Sequence, residues 1–362
     1  MTKILLYAHS FPPSIGGGEE YNLNLATGLV RRGLKVLVLT PSPQSGTESY
    51  PFNVIQTKSS LIGGLPEIRK AIKYFSPDIL HISGPTPVDY YLLFLARQLK
   101  IKSILTYHAD FPSFAGFCLN SFFFIFQRWV NRILVQNLRD KNRLINRGIR
   151  DDKIRSFAFN GVRPDLFRVI YDNINRNIDI TFVGRMDKAH SYKGYWQFLN
   201  ILKEIKFNTE INPTVCVIGG GEDFHIFQFE ALKSKLDLSF KTNISTDELV
   251  SILNKSKTIV LPSTGHGEGF GRVILEGAFC GTIPVVSKFA GASDIVKGYN
   301  IGLIIDPYDT KKTASDIVNL IYNQARMNTF RKNIQIMLQN GKFTTSWAID
   351  KTIEVYKQVL EI

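Results

Sequence analysis

Cysteine is scarce in this 362-residue chain: Cys118, Cys216 and Cys280 stand far apart, with no CxxC pair and no Cys/His cluster. That argues against a disulfide scaffold and a zinc site, and the expected state is free thiols in a reducing compartment. Long apolar runs are also missing. None approaches the ~20 residues of a membrane-spanning helix, and the longest uncharged stretch, 111–127, is interrupted by Pro112, Gly116 and Asn120. Met1-Thr2-Lys3 leads directly into Ile4-Leu5-Leu6-Tyr7-Ala8, a strand-length segment unlike a secretory leader. A cytoplasmic location is therefore expected. No GxGxxG, GxxxxGK[ST] or GxSxG occurs, which weakens dinucleotide, P-loop and hydrolase readings. With no helix-turn-helix, zinc-finger or RNP pattern, a nucleic-acid partner is not expected.

Acidic residues are few: 31 Asp and Glu face 44 Lys and Arg, a net charge of +13. The excess is one-sided. Residues 1–170 hold 22 basic and 11 acidic residues, net +11, whereas residues 171–362 hold 22 and 20, net +2. An anionic partner of the first half would account for this, and so would a merely solubilising surface.

Apolar segments of strand length alternate with segments of helical periodicity, the pattern of parallel α/β sheets. In the first half strands are expected at 3–8, 35–40, 79–82, 103–107 and 132–136, and helices at 19–32, 66–75 and 87–98. The pattern breaks at Asn160-Gly161-Val162-Arg163-Pro164 and the Asn-rich 171–177, then restarts. Strands are expected at 178–183, 214–218, 258–261, 283–286 and 302–305, and helices at 194–205, 224–234, 246–254, 271–280 and 310–323. This predicts two doubly wound domains whose ligands sit at the strand carboxyl ends, around one cleft.

Four motifs carry chemistry. Gly16-Gly17-Gly18-Glu19 lies between a strand and a helix, where glycines let backbone approach a ligand and the helix end offers free N–H groups. Thr106-Tyr107-His108 ends a strand. Gly184-Arg185-Met186-Asp187, with Lys193-Gly194 following, puts a guanidinium fork and an ammonium at one sheet edge, suited to a diphosphate or to solvent. Gly265-His266-Gly267-Glu268-Gly269-Phe270-Gly271-Arg272 leads into an apolar helix carrying Glu276. Carboxylates accept hydrogen bonds from hydroxyls, so Glu268 and Glu276 suit a polyol, and Glu276 needs a partner among its apolar neighbours.

Together these segments resemble the GT-B glycosyltransferases, specifically family 4, over nearly the whole chain. GGGEEYNLNLATGLVRRGLKV, YHADF, NGVRPDLF, GRMDKAHSYKG, VIGGGED, LPSTGHGEGFGRVILEGAFCGTIPVV and FTTSWAIDKTIEVY occur in family order, the sixth resembling its E-x7-E signature. Arg163, Gly277, Asp294 and the Lys241-Thr242-Asn243 turn depart from the family pattern. The resemblance implies a first Rossmann-like domain at 1–165 for the acceptor, a second at 178–345 for a nucleotide-sugar donor, and a helix at 346–362 crossing back to the first. It implies that Arg185 and Lys193 hold the diphosphate, Glu276 the ribose and Glu268 the sugar hydroxyls. Phe270 and Gly271 would place sugar and phosphate, with Gly220 beside the donor. Gly17 and Gly18 would close over the diphosphate, and His108 would lie near the sugar. Retention at the anomeric carbon, with no metal and no cofactor, is the implied chemistry.

The acceptor is expected to be a saccharide or a lipid-linked saccharide of surface polysaccharide, lipopolysaccharide or glycolipid synthesis. The segment 122–150, from Phe122 to Arg150, joins aromatic residues to Arg and suits docking on an anionic membrane face, or else a core helix followed by a solvated basic one. The alternatives are an epimerase or phosphorylase on the same fold and a non-catalytic sugar-nucleotide binder.

Overall fold

The computed structural model describes residues 1–14, 16–44, 49–58, 64–84, 87–108, 129–170, 175–209, 211–265 and 267–361. Residues 122–128 of the expected docking segment, Ala109, Asp110, Cys118, His266 and residues 171–174 of the expected linker lie outside them. The chain divides into two compact units, Met1–Gly161 with Thr345–Ile362, and Val162–Thr344.

In the first unit, β1 (Lys3–Ala8), β2 (Lys35–Thr40), β3 (Asn53–Gln56), β4 (Ile79–Gly84), β5 (Lys102–Tyr107), β6 (Arg132–Val135) and β7 (Ile154–Ser156) form one parallel sheet in the order β3-β2-β1-β4-β5-β6-β7. In the second, β8 (Ile178–Val183), β9 (Val215–Ile218), β10 (Leu238–Lys241), β11 (Ser256–Leu261), β12 (Ile283–Ser287) and β13 (Leu303–Ile305) run parallel in the order β10-β9-β8-β11-β12-β13. Both sheets are Rossmann-like.

The central strands are buried on both faces, which explains their unbroken apolar runs. Along β1, Ile4, Leu6 and Ala8 join a cluster with the helix Gly17–Arg31, while Leu5 and Tyr7 join another with the helix Leu65–Phe75. The second unit has its counterpart in Phe182 of β8 stacked on Phe198 of the helix Tyr195–Asn208, ring centroids 5.1 Å apart.

Three strands give no sequence signal, β3, β7 and β10, and all three are sheet edges. An edge strand packs weakly and needs no apolar run, as NVIQ, IRS and LSFK illustrate. The helices Leu138–Asn146, Ser293–Tyr299 and Gln324–Gln339 also go unannounced. In the last, Met327, Phe330, Ile334 and Met337 are buried at helical spacing but diluted by Asn, Gln and Arg.

The helix Thr345–Leu360 belongs to the first unit and packs on Gly17–Arg31. Gly28 makes room: a Cβ there would lie 2.0 Å from Ile349 Cδ1. Arg32 donates to the Ser346 hydroxyl at 2.8 Å and pairs with Asp350. Tyr356 is buried against His81 of β4 and hydrogen-bonded to its Nδ1. Among the described residues, no helix is long and apolar enough to cross a membrane.

Tyr356→Phe leaves His81 Nδ1 buried without its partner. The expected cost is about 1–3 kcal/mol, the usual penalty for an orphaned buried polar group. Urea unfolding followed by intrinsic fluorescence checks it, and an unchanged midpoint would show that the bond contributes nothing.

Candidate active site

Each sheet has a point where the strand order reverses, β1/β4 in the first and β8/β11 in the second, and ligands of such sheets bind there at the carboxyl ends. The residues singled out from the sequence gather at these two places.

In the second unit three loops interlock. The loop after β8 meets the turn after β9, where Met186 N donates to Gly220 O and Asp223 N to Met186 O, both at 2.9 Å. It also presses on the segment after β11. Gly194, at φ +75°, would put a Cβ 1.9 Å from the Pro262 carbonyl oxygen, so any other residue would push Lys193 away from that strand end. Two glycines of the 265–271 run are likewise demanded by packing. A Cβ on Gly267 would meet the Tyr192 ring at 2.5 Å. On Gly271, at φ +86°, it would meet Leu261 at 2.4 Å. Gly220 has open space above it, whereas Gly219 and Gly221 are hemmed in by the backbone of Gly184 and Met186.

The charged groups held by this framework occur as pairs. Arg185, about two-thirds exposed, contacts Asp187 at 3.2 Å through Nε. Lys193 Nζ lies 2.7 Å from Glu268 Oε2, both largely buried. Arg272 Nε lies 3.0 Å from Glu276 Oε1, one helical turn on. The three cations are thus matched by three carboxylates. Burial pushes the Lys193 ammonium down, but the charges of Glu268 and Glu276 outweigh it and leave the pKa raised. Burial likewise pushes the Asp187 carboxyl up, and hydrogen bonds from His190 with the nearby Arg185 charge outweigh that and leave it lowered. Lys193 Nζ lies 5.6 Å from the centroid of the Tyr192 ring. Burial first, with the charges of Glu268 and Asp187 and against those of Lys193 and Arg185, leaves that phenol's pKa raised. Phe270 is buried, and its carbonyl accepts from Ala292 N at 2.8 Å, fixing the entry to the helix Arg272–Phe279.

In the first unit, Gly17 opens the helix with nothing near its Cβ position, and a Cβ on Gly18 would lie 3.0 Å from Ser10 Oγ. Asn160 Nδ2 reaches the Gly17 carbonyl at 3.4 Å. His108, after β5, contacts Ser83 Oγ through Nε2 at 2.9 Å, with the Tyr21 and Phe159 rings edge-on at 5.2 and 5.4 Å. Burial first, then the charge of His9, push its pKa down to about 4. Its neighbour His81 is pushed to about 3, by burial first and then by His108. Both rings are neutral at physiological pH.

Sequence reading does not pick out Arg272, His190, His9 or Asp89. Arg272 had a signal, since it stands four residues before Glu276 on one helix face. It also supplies the partner that a buried Glu276 requires. Asp187 is the N-cap of the turn that follows it: its Oδ1 accepts from His190 N at 3.0 Å and lies 2.7 Å from His190 Nδ1. His9 and the fully buried Asp89 meet at 2.9 Å across 80 residues, which no local pattern announces. The departing turn at Asn243 has a simple reason: it sits at φ +51°, a left-handed conformation that Asn tolerates.

Residues 15–166 match the family described as Glycosyltransferase Family 4, and residues 167–337 match Glycosyl transferases group 1. The O-antigen chain mannosyltransferase C of Escherichia coli is 24% identical, the match covering 100% of this chain and 99% of that protein. A GDP-mannose-dependent alpha-mannosyltransferase of Corynebacterium glutamicum is 23% identical over 90% of this chain and 81% of its own. Among solved structures, Anabaena HepE in complex with UDP and glucose aligns with a TM-score of 0.79 at 17% identity, covering 99% of this chain and 100% of that one.

Because their native pKa values lie below the unfolded value near 6.5, His81 and His108 reject protons that the unfolded chain accepts. Stability is retained above pH 6.5 and lost as pH falls toward 4, each ring contributing a slope of up to about 1.4 kcal/mol per pH unit. His108→Gln removes one ring, so urea unfolding across that range should show a shallower slope. An identical slope would contradict the neutral assignment.

Proposed function

The chain belongs to glycosyltransferase family 4, on the GT-B fold, and from that premise we propose a retaining, metal-independent transfer of a sugar from a nucleotide-sugar donor to a saccharide or lipid-linked acceptor of surface polysaccharide synthesis. The observation that carries this reading is the Lys193–Glu268 pair at 2.7 Å, beside Arg185–Asp187 and Arg272–Glu276. A diphosphate competes with a carboxylate for an ammonium. As the donor enters, Lys193 turns to phosphate, and Glu268 is released to accept hydrogen bonds from sugar hydroxyls. Arg185, exposed and tethered only lightly, supplies the second cation. Glu276, oriented by Arg272, accepts from the ribose.

The anomeric C–O bond to the phosphate breaks as the acceptor oxygen bonds the same face of that carbon. The acceptor's proton leaves with the departing phosphate oxygen. Fixed cations stabilise the charge growing on the diphosphate, the role Mg²⁺ has elsewhere. Water shares the acceptor's chemistry, so slow donor hydrolysis accompanies transfer. GDP-mannose is the first donor to try, on the printed names of the relatives, and UDP-glucose the second.

The same reading brings the first unit to an anionic membrane surface. Within the described part of 122–150, Arg139 and Arg143 face Asp140, Lys141 pairs with Asp151 and Arg150 with Asp152, which reduces that segment's charge. A further basic face lies on the helix Leu65–Phe75, where Arg69, Lys70, Lys73 and Tyr74 are exposed. Lysine, arginine and tyrosine on one helix suit an anionic interface.

Nucleoside diphosphate release from GDP-mannose or UDP-glucose should fall about 10²–10³-fold in Arg185→Ala and in Lys193→Ala, with unchanged circular dichroism. EDTA should leave the wild-type rate unaltered. Wild-type rates in both variants would overturn the diphosphate assignment, and loss in EDTA the metal independence. Sedimentation with phosphatidylserine vesicles at low salt should fall severalfold in Arg69→Glu/Lys73→Glu. Equal sedimentation would remove the helix from the docking surface.

A further inference from the structure

The second unit holds a cavity of about 390 Å³ at the opposite edge of its sheet from the paired charges. Its lining includes Arg176, Lys257 and Gly281, which lie at the amino-terminal starts of β8, β11 and β12. A six-residue strand separates the two edges by roughly 20 Å. One wall is a face of the helix Gln324–Gln339, where Gln324, Met327, Arg331, Ile334, Gln335 and Leu338 recur at helical spacing. Among the described residues lining it there is no carboxylate and no aromatic ring.

Its cations differ in their partners. Lys257 Nζ is neutralised by Asp179 at 2.6 Å. Arg176 ends two helices and a strand start by donating to the carbonyls of Leu253 at 3.2 Å, Ser256 at 2.7 Å and Cys280 at 2.7 Å. Gly281 keeps space for it, since a Cβ there would lie 2.6 Å from Arg176 Nη2. Arg331 has no comparable role. Its Nε is buried without a hydrogen-bond partner, and it forms no hydrogen bond or ion pair with any described residue. Burial lowers the pKa of both guanidinium groups, and Arg331 further lowers that of Arg176, to about 10. Two cations lining one cavity cost energy unless an anion lies near them.

We propose that this cavity binds a small hydroxylated phosphomonoester, of the size of a hexose phosphate, at a site separate from the donor site. Arg331 and Arg176 take the phosphate, in the planar geometry that suits guanidinium. The carboxamides of Asn175, Gln324 and Gln335 serve hydroxyl groups, being both donors and acceptors. A volume of 390 Å³ equals about a dozen waters at ~30 Å³ each, too large for phosphate alone. Among the described lining residues no aromatic ring offers a stacking surface to a base, which disfavours a nucleotide.

Isothermal titration of the full chain with glucose 6-phosphate, inorganic phosphate and glucose tests the site. Saturable binding of glucose 6-phosphate is expected, with phosphate weaker and glucose weakest. Arg331→Gln should weaken the sugar phosphate about tenfold or more, the loss of a charge-assisted contact. Arg185→Ala should leave it within about twofold, because its target is the donor diphosphate. Arg331→Gln should also melt no lower than wild type in phosphate-free buffer, since it removes an uncompensated charge. No saturable binding, equal affinity in Arg331→Gln, or loss in Arg185→Ala alone would overturn the proposal. A lower melting temperature in Arg331→Gln would overturn it too, marking Arg331 as structural.

Discussion

The second unit depends on one buried ion pair. Lys193 comes from the loop after β8 and Glu268 from the loop after β11, so their contact ties together the two strands that flank the reversal in strand order. Burying opposite charges this way gains little stability over an apolar pair of similar volume. Such a contact is better explained as a poised one. The neighbouring glycines serve it: Gly194 and Gly267 exist in this form so that the Tyr192-Lys193 segment can lie against β11 and its loop. Arg185–Asp187 and Arg272–Glu276 complete a set of six charges that sums to zero, so the site is balanced before any anion arrives.

How much of this was legible in the sequence depends on the scale at which each feature is encoded. Strands β1, β2 and β8 coincide with their apolar runs because they are buried on both faces, and edge strands leave no such trace. Arg185, Lys193, Glu268 and Glu276 announce themselves because each stands in a short motif, and the structure gathers them. Their pairing is another matter. Lys193 and Glu268 lie 75 positions apart, and nothing in either motif says that one charge will neutralise the other. Arg272 could have been read, four residues before Glu276, whereas His9 with Asp89 could not.

Charge counting was the weaker guide. The expected docking segment ends at Arg150, one residue short of Asp151 and Asp152, which hold Lys141 and Arg150. The first unit's polar interior is more informative. Tyr356, His81, Thr106 and Tyr21 form a continuous hydrogen-bonded line along one face of the sheet, from the last helix to the helix that opens with Gly17. His108 lies beside that line with the Tyr21 ring edge-on, so the ring nearest the expected sugar is held by the same groups that hold the terminal helix.

That terminal helix has a consequence for synthesis. The first unit consists of Met1–Gly161 and Thr345–Ile362, so the second unit is in effect an insertion between two parts of one core. Arg32 meets Asp350 across 318 residues of sequence. A ribosome delivers Val162–Thr344 as one continuous segment, free to fold as soon as it emerges. The earlier-made unit must wait with the Leu25 and Leu29 face of its first helix uncovered until the last residues arrive. Contacts of such separation are slow to form. The first part made is therefore the last to be finished.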